Sequence, residues 1–202
     1  MGAFRLYKKI FERIFEFKKG LIVLINKKDI ENNLVRDKEE VIKIFSQLDE
    51  SIFLRKPDEK RWSAAECIEH LNNGCKMYIP EIKKALENSK VTNQEFIRIS
   101  WPQKKMIDLL EPPYKFKMPT GGDFIPSKNL SKEKVINDYL SYQDDYIDLL
   151  KKYYDKDFTS VKFSSPAAKM LKFNCAFAIL FNAAHQRRHI WQAEQTIKGF
   201  SQ

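Results

Sequence analysis

The sequence predicts an all-α chain, and three observations carry the prediction. Four long segments repeat their apolar residues at spacings of three and four. Nothing between them alternates with the period of two that a strand requires. Residues that start or stop helices, Ser63 with Glu66, Ser131 and Gly199, stand at the segment ends. At 202 residues, with 43% hydrophobic and 13% aromatic side chains, the chain has the apolar material for one core and too much for a disordered polymer. One domain with an appendage is the expected organisation.

The appendage is the basic N-terminal stretch. Residues 1–28 carry Arg5, Lys8, Lys9, Arg13, Lys18, Lys19, Lys27 and Lys28 against Glu12 and Glu16, a balance of +6 out of the chain's +9. Phe4, Tyr7, Ile10, Phe11, Ile14 and Phe15 recur at helical spacing opposite the basic residues, which predicts an amphipathic helical extension over residues 1–28 and a separate domain over 29–202. Such a helix can make peripheral contact with a membrane. Packing on its own body, or on a second copy in a homodimer, is the favoured expectation because most amphipathic stretches cover a core. Nucleic acid is a poor fit as partner, since the charge is confined to one end and no zinc-finger spacing, aromatic RNA-binding signature or Gly-rich clamp accompanies it. The longest apolar run near the start, residues 21–25, falls short of the roughly 20 residues of a membrane span and the roughly 7–15 of a signal core. Three cysteines with no CxxC pair suit a reducing compartment. A cytoplasmic location is expected.

The body begins with a helix over residues 30–54, whose apolar set is Leu34, Val41, Ile44, Phe45, Leu48 and Phe53 and which Pro57 stops. A second helix starts at Ser63, where Glu66 stands at the capping-box spacing, and runs to Tyr78; Pro80 should kink it or set off a second piece over residues 81–89. Residues 91–130 hold Pro102, Pro112, Pro113, Pro119, Gly121, Gly122 and Pro126, which predicts a long irregular connection with one short helix over 104–110. Ser131 caps a third helix with the face Val135, Tyr139, Tyr142, Tyr146, Leu149, Leu150 and Tyr153, a tyrosine stripe read as core with wet hydroxyls. A turn region over 155–166 precedes a fourth helix over 174–198, which Gly199 ends.

The histidines carry the functional signal. His185 and His189 stand four apart in the fourth helix, one turn above the other on one face, the spacing of two ligands for one ion. Asn182 and Gln192 share that stripe with Ala178 and Phe181. The third histidine, His70, lies nearly two turns beyond Ser63, so the capped second helix delivers its ring to the middle of the structure. Three imidazoles from two helices match a metal site with one position open for water or substrate. Taken singly, each would be an ordinary polar residue satisfied by a carbonyl or water.

Trp62-Ser63-Ala64-Ala65-Glu66 followed by His70-Leu71 resembles the early motif of the DinB-like superfamily of four-helix-bundle metalloproteins. The run from His185 to Gln192 (His185-Gln186-Arg187-Arg188-His189-Ile190-Trp191-Gln192) resembles its late motif, in the expected order and across a similar Pro-rich middle. The resemblance covers residues 30–198. It implies a four-helix bundle with a long crossover connection and a divalent metal, zinc or nickel, on His70, His185 and His189. The family includes transferases that use bacillithiol, mycothiol or glutathione, a thiol-dependent isomerase, metal-dependent hydrolases and members with no known activity, so it leaves the reaction open.

A dication with an open position favours the deprotonated form of whatever binds there, water or a thiol. Hydrolysis also wants a proton-transfer residue beside that position. Glu66 stands one turn before His70 on the same face, but capping competes for it. Asn182 and Gln192 can hydrogen-bond imidazole or substrate but accept no proton at neutral pH. Cys67 reads as a small core residue rather than a ligand. Arg187 and Arg188 point away from the histidine stripe, toward surface carboxylates or an acidic cofactor group, and Lys115 and Lys117 are further candidate anion contacts. The expectation is a metal-dependent transferase that activates a low-molecular-weight thiol against a small electrophile. The alternatives are a metal-dependent hydrolase of a small amide or ester, and a bundle that binds a metal or ligand without turnover.

Overall fold

The computed structural model describes residues 22–114 and 119–200. The stripe over residues 4–17, together with Lys115 and Lys117, lies outside the described residues.

The chain is mostly helical, with small sheets that the sequence reading did not expect. The described order is β1 (Ile22–Asn26), α1 (Lys27–Phe45), α2 (Glu50–Leu54), α3 (Ala64–Glu87), β2 (Phe96–Ser100), α4 (Trp101–Asp108), a 3₁₀ turn (Gly122–Phe124), α5 (Lys132–Lys152), β3 (Lys162–Ser165), β4 (Ala168–Asn174) and α6 (Cys175–Lys198). β1 pairs antiparallel with β2 and β3 with β4. In β1 both faces are apolar: Ile22 and Leu24 remain exposed, so the two-residue alternation that announces a strand is missing there, while β2 carries it in Ile97 and Ile99. Residues 22–28 are therefore part of the body rather than of a helical extension. Lys27 is buried there, its ammonium donating to the carbonyls of Tyr154 and Lys156 at 2.6 and 3.0 Å.

Two helix boundaries differ from expectation for local reasons. The single helix expected over 30–54 ends at Phe45 and resumes at Glu50, because the Asp49 carboxylate accepts from the Ser51 amide at 2.7 Å and starts a new first turn. Pro80 neither breaks nor ends α3. It and Lys76, whose carbonyl loses its partner to the proline, both lie on the exposed face, where that carbonyl can be hydrated. Other signals match: Ser63 and Glu66 form the reciprocal capping box, and the Asn174 side chain accepts from the Phe177 amide at the head of α6. The Tyr139 and Tyr146 rings of the tyrosine stripe are fully buried, with hydroxyls that meet no partner among the described residues.

α3 packs against α5 and α6, and α1 against α5 and α6. The apolar core between them is divided. One cluster gathers Leu34, Cys75, Tyr146 and Ala184 with their neighbours; the other gathers Val41, Leu71, Tyr139 and Ile190. Between the two, each long helix contributes buried polar residues: Asp37 from α1, His70 and Asn72 from α3, Gln143 from α5, and Gln186, Arg188 and His189 from α6. A polar layer thus crosses the helices between the two apolar clusters, and the histidines belong to it.

Candidate metal centre

His70 rides on α3 and His185 and His189 on α6, and the structure brings all three together. One ring nitrogen from each lies within 4.8 Å of those of the others. His185 Nε2 is 3.3 Å from His70 Nε2 and 3.1 Å from His189 Nε2. Nitrogens bound tetrahedrally to one ion at about 2.05 Å stand about 3.3 Å apart, so these separations fit a common ion. The donors also fit. The Nδ1–H of His70 donates to the Phe124 carbonyl at 2.8 Å, which fixes the tautomer and leaves the Nε2 lone pair toward the other rings. Nitrogen lone pairs held this close repel unless a cation or a shared proton lies between them.

A second proton on any of the rings is disfavoured here. Burial pushes the pKa of His185 down to about 3, helped by the nearby His70 and Arg188. Burial also lowers those of His70 and His189; His185, His70 and Arg188 add to the effect at His189, while Gln192 works the other way. The rings are therefore neutral at pH 7, the form that binds metals. His70 and His189 are buried and His185 is half-buried.

Aromatic rings wall the cluster. Trp62 lies 5.0 Å from the His70 ring and 5.9 Å from that of His189, and Phe181 stacks on His185 at 6.3 Å. The turn carrying Phe124 is tied to α3 twice, by His70 and by Asn73, whose amide donates to the Ile125 carbonyl at 3.2 Å. A backbone carbonyl in a loop leaves no mark in a sequence, so this contact was not foreseeable; the Gly121-Gly122 pair before it was the available hint.

The remaining candidates fall elsewhere. Both Glu66 oxygens are engaged, one by the Ser63 amide at 2.8 Å and the other by Lys56 at 3.0 Å. Asn182 donates to the Ala178 carbonyl of its own helix at 2.8 Å. Cys67 is buried in the apolar core, which drives its thiol pKa far up and away from ligation. Arg187 joins Asp37 at 2.9 Å and Glu111, pairing with a buried carboxylate rather than only with surface ones. Arg188 was expected to point away from the stripe, but its buried guanidinium, 3.8 Å from the Tyr114 ring centre, is close enough to lower the pKa of His185 and His189. Among the described residues no carboxylate joins the three rings.

No described helix is long and apolar enough to cross a membrane. A family model described as DinB superfamily matches residues 33–193. Neither the curated proteins nor the solved structures gave a match.

Proposed function

The chain belongs to the DinB superfamily, and from that premise we propose that it is a metal-dependent transferase acting on a low-molecular-weight thiol, with His70, His185 and His189 as the ligands of a zinc or nickel ion. The four long helices and the long 88–131 connection support a four-helix bundle with a crossover as its frame. A divalent ion held by three neutral imidazoles would supply a charge that favours the thiolate over the thiol.

The observation that carries the reaction class is electrostatic. Among the described residues, the charged side chain that shifts the pKa of His185 and His189 is the cation Arg188, and Glu66, the acid of the capping turn, has both oxygens occupied. Such surroundings attract an anionic sulfur and offer no base to a water molecule. His70, held through Phe124, keeps its nitrogen aimed inward, while Trp62 and Phe181 shield the rings from water. The thiol gives its proton to solvent, a sulfur–carbon bond forms at the electrophile, and the leaving group departs with the electron pair of its bond.

Elemental analysis of the wild type beside His70→Ala, His185→Ala and His189→Ala tests the ligands: each substitution should sharply lower metal content with the helical spectrum retained. Incubating the metal-loaded protein with thiols and a model alkylating electrophile tests the reaction. Hydrolysis of esters or amides without thiol consumption would replace the transferase with a hydrolase.

A further inference from the structure

Gly74 lies one helical turn beyond His70 on the same side of α3, in the middle of a 24-residue helix. It is buried, yet a Cβ built there would meet no heavy atom within 4 Å outside its own local backbone. Interiors are close-packed, and glycine inside a helix is less stable than alanine, so a buried glycine is ordinarily there because a neighbour presses on it. Nothing presses on this one. Its backbone has helical geometry and needs no positive φ.

The space lies beside the histidine cluster. α3 and α6 run antiparallel: His70 near the start of α3 meets His185 and His189, and Tyr78 two turns later stacks at 6.1 Å on Phe173, just before α6. Gly74 on α3 and Phe181 on α6, each one turn from a histidine, therefore flank the same end of the cluster. Phe181 is half-buried, its ring set between His185 at 6.3 Å and Phe173 at 5.5 Å. Phe124, also half-buried, lies 6.4 Å from His70. Two half-buried aromatic residues and a missing side chain thus lie together beside the histidine cluster.

We infer that Gly74 is a specificity-determining residue, whose missing side chain leaves room for an apolar, flat group of the ligand held against Phe181 while its sulfur reaches the histidines. The inference rests on the proposed metal site and extends it from the head group of the ligand to its body.

Cobalt(II)-loaded protein gives a readout that needs no turnover, because sulfur ligation adds charge-transfer absorption and its titration reports thiol affinity. Benzenethiol and 2-mercaptoethanol serve as probes, with and without an aromatic body. Gly74→Leu should keep the wild-type cobalt content, weaken benzenethiol at least tenfold and leave 2-mercaptoethanol within twofold. Gly74→Ala, the variant certain to preserve the helix, should raise the melting temperature by a few degrees in metal-free protein and weaken benzenethiol about threefold. A lower melting temperature for Gly74→Ala would show that the space is not open and would overturn the inference. So would unchanged benzenethiol binding in cobalt-loaded Gly74→Leu, or equal weakening of both thiols. Wild-type protein that takes up no cobalt would overturn the metal reading itself, a result distinct from these.

Discussion

Lowering the pH of metal-free protein from 7 to 5 should destabilise it through the histidine cluster. An unfolded histidine with a pKa near 6.5 takes up most of a proton over this interval. His185, held down to about 3 by burial and by His70 and Arg188, takes up almost none while folded. The unfolded state therefore binds more protons, and stability must fall as the pH falls, beginning near 6.5 and continuing toward the folded value. Integrating that difference between pH 7 and 5 gives a loss of about 2 kcal/mol from His185 alone. His70 and His189 are displaced in the same direction, so they add losses of the same sign. The assay is equilibrium urea unfolding in chelator at pH 7, 6 and 5, for wild type and His185→Leu. The variant should lose about 2 kcal/mol less than the wild type over the interval, a difference that cancels the titration of every distant group. Equal losses in the two proteins would mean that His185 titrates normally when folded and would refute the buried neutral cluster.

Other outcomes follow from the same geometry. Zinc at a thousandfold excess over its dissociation constant should stabilise the protein by about 4 kcal/mol and raise its melting temperature by roughly 10 °C in calorimetry, with chelator reversing the shift. Arg187→Met strands the Asp37 carboxylate, which is 0% exposed, and should cost about 3–5 kcal/mol at pH 7 in urea unfolding. Burial already raises the Asp37 pKa despite Arg187, so the cost of losing the arginine should shrink as the pH approaches the unfolded value near 3.8, where the stranded acid is neutral. Adding Asp37→Leu to Arg187→Met should recover part of the loss. Glu66→Gln should leave thiol consumption per bound metal within about threefold, whereas a drop of a hundredfold or more would expose Glu66 as a proton-transfer residue.

The parts of the fold that could be read from the chain were those written in local chemistry. The starts of α3 and α6 are side chains bonding to nearby amides, Ser63 with Glu66 and Asn174 with Phe177, and such contacts repeat at fixed spacings. His185 and His189 are likewise neighbours by helical geometry alone. His70 is 115 positions away from His185, and its place in the cluster came from counting turns past a cap. β1 escaped because it is apolar on both faces, whereas β2 does alternate, burying Ile97 and Ile99 between exposed neighbours, but over only five residues in a stretch rich in prolines and glycines. The partners of Arg187 were hidden for a different reason: Asp37 lies 150 residues away, and a charged residue inside an otherwise amphipathic helix reads as surface until the neighbouring helices are in place.

The height of the site in the structure has a physical cause. Polar side chains from four helices weaken the packing between the two clusters, and the helices stay together because each also inserts apolar residues into a cluster on either side of the layer. Two anchored ends hold the intervening segments of α3 and α6 at a fixed separation, so the Nε2 atoms of His70 and His189 are kept 3.3 and 3.1 Å from that of His185. A cation that binds the three nitrogens adds its binding energy to the stability of the whole helical assembly. Truncating an anchor should therefore act on metal affinity at a distance. Ile190→Ala, which removes a fully buried side chain adjacent to His189 in sequence, should cost about 2–5 kcal/mol in urea unfolding and weaken zinc binding measured by competition with a chromophoric chelator. Undiminished zinc affinity in that destabilised variant would show that the three rings keep their geometry without the flanking apolar cluster.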